Sequence, residues 1–185
     1  MASVASEWVT AEERQAVGDF ERLFAVEYAR VVAIAYRVLG DASAAEDVAQ
    51  EVFCSFYQRH APDAPYAVPW LHRAAAHTAL NIVRGARRRR EREQREAVDR
   101  QRVQVSNETS LDPQRHLEAE EERREIRAAL GRLSGKSASV LVLRYSGLSY
   151  AEVAAALGVG TGQVGTLLRR AEAALRKELQ HETHR

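Results

Sequence analysis

The clearest candidate for functional chemistry in this chain is a cluster of arginines. Residues 84–102 contain nine arginines and only four acidic side chains. Four of them, Arg87 to Arg90, are consecutive. A guanidinium pairs well with phosphate, and the dipole at a helix C-terminus needs only one or two positive charges. The density of this run therefore predicts contact with the phosphates of a nucleic acid.

The start of the chain has the opposite charge. Residues 1–60 contain ten acidic and five basic side chains, although the net charge of the whole chain is only +1. Asp47, Gln50 and Glu51 lie within two turns of a predicted helix, beside its apolar stripe. Such a face suits a basic protein partner, but a solvated helix face carries the same residue types, so spacing alone leaves both interpretations open.

The sequence shows no arrangement typical of an enzyme or a metal site. His72 and His77 are five residues apart and do not share a helix face, and a Gly-rich phosphate loop, a nucleophile elbow and paired carboxylates are all missing. Cys54, the single cysteine, lies among apolar residues of a predicted helix and is expected to be a small core residue. We therefore expect neither catalysis nor a metal or other cofactor.

Helices must position these residues, because helix-favouring types dominate while Gly and Pro number only 10 and 4 in 185 residues. Every apolar stretch is interrupted before about 18 residues, and the N-terminus lacks a basic segment followed by an apolar run. The sequence therefore predicts an all-helical protein that stays in the cytoplasm and does not insert into a membrane.

Apolar residues at helical spacing predict three helices in the first half of the chain. Their approximate ranges are 17–39, 44–59 and 70–90. Gly40 ends the first helix, and Pro69 suits the first position of the third. Ser43 and Glu46 have the Ser-x-x-Glu spacing of a capping box at the start of the second. These helices predict a domain at about 17–97, preceded by an N-terminal tail at 1–16.

A second domain is predicted at 121–182, after a linker at 98–120. The linker segment lacks apolar periodicity and contains turn formers, which indicates a flexible connection. In the second domain, Ser149 and Glu152 form another capping box. Gly158 then supplies the left-handed residue that ends the capped helix.

A helix-turn-helix is predicted around Gly158, because Val164, Leu168 and Ala171 give the following helix an apolar stripe. Two short helices joined by such a turn form the unit whose second helix enters the major groove of DNA. The arrangement also occurs as a plain packing motif, but here polar side chains lie away from the apolar stripe. The predicted DNA contacts of this helix are Thr161, Gln163, Thr166, Leu167, Arg169 and Arg170.

Three segments in this order resemble the extracytoplasmic-function sigma factors, which direct RNA polymerase to promoters. Residues 47–53, Asp-Val-Ala-Gln-Glu-Val-Phe, look like the family signature Asp-Leu-x-Gln-Glu-x-Phe. Residues 70–77, Trp-Leu-His-Arg-Ala-Ala-Ala-His, resemble Trp-Leu-x-Arg-Ile-Ala-x-Asn with its following basic helix. The helix-turn-helix is the third part, so the resemblance covers nearly the whole chain.

The resemblance implies a role for each segment. Asp47, Gln50 and Glu51 are expected to bind the clamp helices of the largest polymerase subunit, and the helix-turn-helix to read the minus-thirty-five promoter element. The residues expected to capture and melt the minus-ten element, or to contact its phosphates, are Tyr66, Trp70, Arg73, His77, Asn81, Arg84, Arg87 and Arg88.

Several positions depart from the family pattern or have a second interpretation. His77 stands where Asn is usual, and Gly165 and Leu167 stand where basic residues are common. Trp70 is more often a core residue than a base-stacking one. Tyr66, in a loop bounded by prolines, is the stronger stacking candidate.

The expected partners are core RNA polymerase and promoter DNA. An anti-sigma factor that wraps both domains is a common partner in the family, and the sequence neither indicates nor excludes one. The competing interpretation is a helix-turn-helix regulator that binds duplex DNA as a dimer without polymerase. That interpretation accounts for the second domain and leaves the first domain without a role.

Overall fold

The predicted all-helical architecture is confirmed, since the described part of the chain contains helices and no strand. The computed structural model describes residues 11–99 and 113–183. Its helices are α1 (Ala11–Leu39), α2 (Ala42–Arg59), α3 (Ala67–Asp99), α4 (Pro113–Arg132), α5 (Gly135–Tyr145), α6 (Tyr150–Leu157) and α7 (Thr161–Thr183). Most of the predicted tail and of the predicted linker lies outside the described residues.

The cap of α2 differs from the prediction. Asp41 is the N-cap residue, with extended backbone, and its Oδ1 accepts a hydrogen bond from the Ala44 N–H at 2.7 Å. Asp caps a helix as well as Ser does. The helix therefore begins soon after Gly40, and Ser43 lies inside it, so the capping box predicted at Ser43 and Glu46 was wrong.

The capping box of α6 is confirmed. The Glu152 N–H donates to the Ser149 hydroxyl at 3.3 Å, and the Ser149 N–H donates to the Glu152 carboxylate at 2.7 Å. Gly158 ends α6 in the left-handed region, at φ 64°, which a residue with a side chain rarely adopts. The short helix is thus defined at both ends by local chemistry.

Helices α1 to α3 form an N-terminal unit around an apolar core. Its fully buried large side chains are Val31, Ile34, Val38, Val48, Phe56, Leu71 and Leu80. The one buried polar side chain among the described residues is His72, whose Nε2 lies 2.8 Å from Oε2 of Glu27. This pair links α1 to α3 inside the core and satisfies a group that would otherwise be costly to bury.

Helices α4 to α7 form a C-terminal unit that packs directly on the first one. Its buried side chains include Leu143, Leu148, Val153 and Val164. Helix α3 contacts α4, α5 and α6, and α1 contacts α5. The buried apolar residues of both units therefore belong to one continuous core.

Cys54 is exposed, so the expectation of a core cysteine was wrong. Val52, Phe53 and Phe56 are the inward residues of this turn of α2. Cys54 lies on the opposite side of the helix from Val52 and Phe56, which are two residues away, because successive helical residues are about 100° apart. Among the described residues, no helix is both long and apolar enough to span a membrane.

Candidate nucleic-acid interface

The acidic and amide side chains of α2 share one exposed face. Asp47, Gln50 and Glu51 are all exposed, while Val48 and Ala49 between them are buried. Because the apolar side is used inside the N-terminal unit, the polar side is free to meet a partner. The structure thus brings together the three residues predicted to bind polymerase.

The loop before α3 presents one aromatic ring, and the first turn of α3 carries another. Tyr66 is 50% exposed, and its ring meets the edge of His60 at 5.8 Å between centroids. Trp70 is only partly exposed and packs against His60 at 4.8 Å and Phe56 at 5.4 Å. Tyr66 can therefore offer a face to an unpaired base, whereas most of Trp70 serves the packing of α2 on α3.

Helix α3 carries a polar stripe at a spacing of four residues. Arg73, His77 and Asn81 are exposed, and the amide nitrogen of Asn81 lies 3.2 Å from Nδ1 of His77. Arg88 is exposed further along the helix, and Arg87 is half-buried. The stripe places hydrogen-bonding groups and positive charge along one path, as a single DNA strand requires.

Arg84 falls on the same stripe but is bonded to the C-terminal unit. Its Nη2 donates to the carbonyl of Leu133 at 3.1 Å, and its Nε lies 3.4 Å from the carbonyl of Gly131. These carbonyls lie at the end of α4, where helical carbonyls lack partners within the helix. The structure therefore gives Arg84 a protein contact that the sequence did not predict.

The predicted reading residues of α7 share an outer face. Thr161, Gln163, Thr166, Arg169 and Arg170 are exposed. The inner side of the same helix is buried against α5 and α6. The helix can therefore lie in a groove of DNA while its apolar side holds the unit together.

Two residues of this face, Leu167 and Gln163, already have contacts within the protein, and these contacts limit how far they are available to DNA. Leu167 is half-buried and packs against the core, which leaves only part of its surface for a base. Gln163 accepts a hydrogen bond at Oε1 from the Gly160 N–H at 3.3 Å. Gly160 has no side chain with which to cap α7. The Gln163 side chain therefore caps the start of this helix when it is not bound to DNA.

The helices around α7 are held by charged and aromatic side chains. The Tyr145 hydroxyl donates to Glu172 at 2.8 Å, and this bond raises the pKa of Tyr145. Arg144 donates to the Leu148 carbonyl at 3.1 Å and lies over the ring of Tyr150 at 5.6 Å. These contacts tie α5 to α6 and α7 and so hold α7 against its neighbouring helices.

Glu152 joins the capping of α6 to a contact between the units. The Ser149 N–H, the Ser149 hydroxyl and Arg30 all favour its charged form, and together they lower the pKa of Glu152 to about 2. The Arg30 Nη1 lies 2.6 Å from Oε1 of Glu152. In the described part of the chain, no three His, Cys, Asp or Glu side chains are grouped to hold a metal.

Models of two regions of one protein family match this chain. The model for sigma-70 region 2 matches residues 23–89, and the model for sigma-70, region 4, matches residues 123–175. The chain belongs to the sigma-70 family, in its extracytoplasmic-function group. The first match lies within the N-terminal unit of this sigma factor, and the second lies within its C-terminal unit.

Two curated relatives have similar sequences. The sigma factor is 30% identical over 169 residues to the ECF RNA polymerase sigma factor SigE of Mycolicibacterium smegmatis, which covers 90% of this chain and 64% of the relative. It is 32% identical over 154 residues to the probable RNA polymerase sigma factor RfaY of Xanthomonas campestris pv. campestris, covering 80% of this chain and 37% of that protein. The sigma factor thus spans less than two thirds of either relative.

A solved structure supports the fold. CnrH, in complex with the cytosolic domain of CnrY, superposes with a TM-score of 0.51 at 23% identity, and the superposition covers 88% of each chain. At this identity the likeness concerns the fold alone. It extends over both units of the sigma factor.

All the site residues predicted from the sequence lie within the two matched regions. Sequence reasoning missed the pairing of Arg30 with Glu152 across the two units, and it missed Arg127 of α4, whose guanidinium lies beside Gly40 at the end of α1. Their partners are far away along the chain, so no local motif marks them. An isolated arginine in a helix gives no signal of what it will meet.

Proposed function

We propose that this sigma factor binds core RNA polymerase and directs it to promoters, where α3 opens the minus-ten element and α7 reads the minus-thirty-five element. The observation that carries the proposal is the presence, on one chain and in one order, of an exposed acidic face on α2, an arginine-rich α3 and an outward-facing α7. A regulator of duplex DNA needs only the last of these. The synthesis of RNA itself then belongs to the polymerase.

The face made by Asp47, Gln50 and Glu51 is the proposed polymerase contact. Its carboxylates are exposed and belong to the acidic residues 1–60 of the sequence, so a basic surface on the partner would approach with favourable electrostatics. The neighbouring core residues hold α2 from behind. The contact therefore requires no rearrangement of the N-terminal unit.

The loop and stripe of α3 are the proposed minus-ten site. A base that leaves the duplex costs a few kcal/mol of stacking and pairing, which a prepared site must offset. Tyr66 offers a stacking surface, Asn81 and His77 offer hydrogen bonds, and Trp70 holds the loop on α3. The positive charges that follow the phosphates are Arg73, Arg84, Arg87 and Arg88.

The outer face of α7 is the proposed minus-thirty-five site. Gln163 suits adenine, Arg169 suits guanine, and Thr166 can meet a base edge or a thymine methyl, beside the exposed part of Leu167. Thr161 and Arg170 are assigned to phosphates. We assign polymerase binding and recognition of the minus-ten element to residues 17–97, and recognition of the minus-thirty-five element to residues 121–182. An anti-sigma factor is a further candidate partner, because such partners are common in the family.

The test is a pull-down of purified core polymerase with two double variants of the chain. Asp47→Lys with Glu51→Lys should weaken association strongly, because it reverses the charge of the proposed contact. Glu21→Lys with Glu122→Lys makes the same change of net charge at exposed positions away from α2 and should leave association nearly unchanged. Equal association of both variants at moderate salt, with unchanged helix content, would contradict the assignment.

The same preparation separates binding from promoter opening. Tyr66→Ala with Asn81→Ala should be pulled down as well as the wild type, since neither residue lies on the α2 face. Permanganate footprints of the resulting holoenzyme should then lack the reactive thymines of an open minus-ten element. A footprint like that of the wild type would show that the unpaired bases are held elsewhere.

A further inference from the structure

A cavity of about 560 Å³ lies among α1, α4, α5 and α7. Its volume falls within the range of small-molecule sites in proteins, about 300–1,000 Å³. None of the residues that line it belongs to the polymerase or DNA contacts proposed above. The proposed function therefore leaves this cavity without a role.

The inner side of the cavity, which we call its floor, is apolar. Leu130, Leu141 and Val142 line it and are buried. Ile126 and Leu175 line it as well and are half-buried. A hydrocarbon chain that lies on this floor leaves water, which is favourable in proportion to the apolar area that is covered.

Three arginines, Arg37, Arg123 and Arg127, line the same cavity. Arg37 and Arg123 are exposed, and Arg127 is half-buried. The guanidinium of Arg127 reaches from α4 to the end of α1, since a Cβ at Gly40 would lie 2.5 Å from its Nη1. Arg37 precedes Gly40 by one helical turn, so Arg37 and Arg127 both lie beside the C-terminal end of α1.

Acidic side chains do not balance these charges. The described residues that line the cavity include no Asp or Glu. Within the described part of the chain, neither Arg37 nor Arg127 forms an ion pair. Glu172 approaches the rim, but its carboxylate accepts the hydroxyl hydrogen of Tyr145, another lining residue, at 2.8 Å. Positive charges beside an apolar surface, without such a counter-charge, attract an anion.

The hydrogen-bonding groups of the lining favour one kind of anion. Apart from two tyrosines, the described lining has no side chain that can accept a hydrogen bond. A nucleotide would bring amino and hydroxyl donors that need such acceptors. A carboxylate only accepts, and it can take two parallel hydrogen bonds from one guanidinium. The lining therefore fits a carboxylate that is joined to an apolar body.

The volume of the cavity limits the size of that body. A methylene is about as large as a water molecule, whose share of liquid volume is about 30 Å³, so a chain of about ten carbons needs roughly 300 Å³. Two chains of sixteen carbons, as in a phospholipid, would need about 960 Å³ by the same measure. A cavity of about 560 Å³ thus holds one chain and its head group.

We propose that this cavity binds a free, single-chain fatty acid of about ten to twelve carbons, with its carboxylate on Arg37 and Arg127 and its chain on the apolar floor. Arg123 adds a third positive charge at the rim. The chain then has a small-molecule site in addition to its surfaces for polymerase and DNA. Binding of the acid needs neither of those partners, so this site is tested separately from the proposed function.

The test is calorimetric titration of the full chain with octanoate, decanoate and dodecanoate, at concentrations too low for micelles. Saturable binding should tighten roughly fourfold with each added methylene, because each one that leaves water adds a similar increment of free energy. Decanol has the chain without the charge and should bind at least about tenfold more weakly than decanoate. Absence of saturable binding, or equal affinity for decanol and decanoate, would overturn the proposal.

Two double variants separate the cavity arginines from net charge. Arg37→Gln with Arg127→Gln should weaken decanoate binding roughly tenfold to a hundredfold, since it removes the charged donors to the carboxylate. Arg22→Gln with Arg59→Gln makes the same change of charge at exposed positions that do not line the cavity, and it should bind like the wild type. Equal affinities of the two variants, both with normal helix content, would contradict the assignment.

A change at Ala33 tests the cavity without a change of charge. Ala33 is exposed on α1 and lines the cavity, so Ala33→Leu takes up space that the ligand needs, and leucine is nearly as good a helix former as alanine. We expect dodecanoate to bind about tenfold more weakly to this variant. Ala151→Leu, at an exposed position of α6 outside the cavity, should bind normally. Unchanged binding by Ala33→Leu would show that the acid binds elsewhere.

Two further measurements separate a free fatty acid from other anions. Guanosine triphosphate replaces the acid in the titration, and phosphatidylglycerol vesicles replace it in a sedimentation assay. Any binding to either should be the same in the wild type and in the variant with Arg37→Gln and Arg127→Gln. Nucleotide binding or vesicle binding that is lost in this variant would assign the cavity arginines to a different ligand and overturn the proposal.

Discussion

The arginine-rich part of α3 and the first part of α7 both face DNA in our proposal, yet their compositions differ sharply. Residues 84–90 include five arginines, whereas residues 161–170 contain two arginines and two glycines. Phosphate contacts supply affinity regardless of sequence, and contacts to base edges supply discrimination. The difference indicates that α3 provides most of the binding free energy and that α7 mainly selects the sequence.

The two helices also differ in how the rest of the molecule holds them. The outer face of α7 is exposed along its first turns, while α3 is covered by the C-terminal unit at Arg84. The first turns of α7 are therefore accessible in this structure, whereas α3 is covered by a protein contact at Arg84.

The largest effect is expected from the run on α3. Replacement of Arg88 to Arg90 by Gln should weaken promoter binding roughly a hundredfold at moderate salt and lower the salt slope by about 3, since each phosphate contact contributes about 0.9. The measurement is promoter affinity of the holoenzyme over a range of salt concentrations. Arg22→Gln with Arg176→Gln and Lys177→Gln removes equal charge elsewhere, and an equal loss of slope there would contradict the comparison.

A smaller and different effect is expected from α7. Arg169→Ala should relax the preference at one upstream position by about 1–3 kcal/mol, and it should lower the salt slope by no more than about 1. Gln163→Glu keeps an oxygen for the Gly160 N–H but loses the amide donor for adenine, so it separates capping from reading. Selection from randomised promoters measures both, and unchanged upstream preferences in both variants would move the reading to other residues.

The smallest effect is a gain. Gly165→Lys should strengthen binding to the upstream element severalfold, because it adds one positive charge to the first two turns of α7, residues 161–168, which carry none. A Cβ at this position meets only Cε2 of Tyr150, at the ordinary contact distance of 3.7 Å. Gly165→Ala is the matched control, since it adds up to about 1 kcal/mol of helix stability without charge. Equal gains in both variants would attribute the effect to the helix instead of the charge.

Local signals were enough to predict much of the fold. The Ser149 and Glu152 capping box, the left-handed Gly158 and the stripe of α7 are all short-range features, and each is present in the structure. The same holds for the exposed face of α2. Its residues lie within two turns, so helical periodicity alone determines that they point the same way.

The sequence-based predictions failed where a helix cap or the exposure of a side chain depended on a shift of one or two residues, and where a contact depended on residues far away along the chain. Asp41 and Ser43 are both good caps, and only the actual end of α1 decides between them. Cys54 directly follows the buried Phe53, and the rotation of about 100° from one helical residue to the next brings it to the surface. Arg84 bonds to carbonyls 47 and 49 residues along the chain, a contact that depends on how two units pack and leaves no trace in local sequence.

The two partners of the Arg30–Glu152 ion pair should differ in how freely they can change during evolution. The Glu152 carboxylate both completes the cap of α6 and pairs with Arg30, so a lineage that loses it weakens a structural element of the DNA-reading unit. A lineage that changes Arg30 loses only a tie between the units. Mutational drift should therefore alter the strength of the coupling more readily than the helix-turn-helix, and related chains should differ more at position 30 than at position 152.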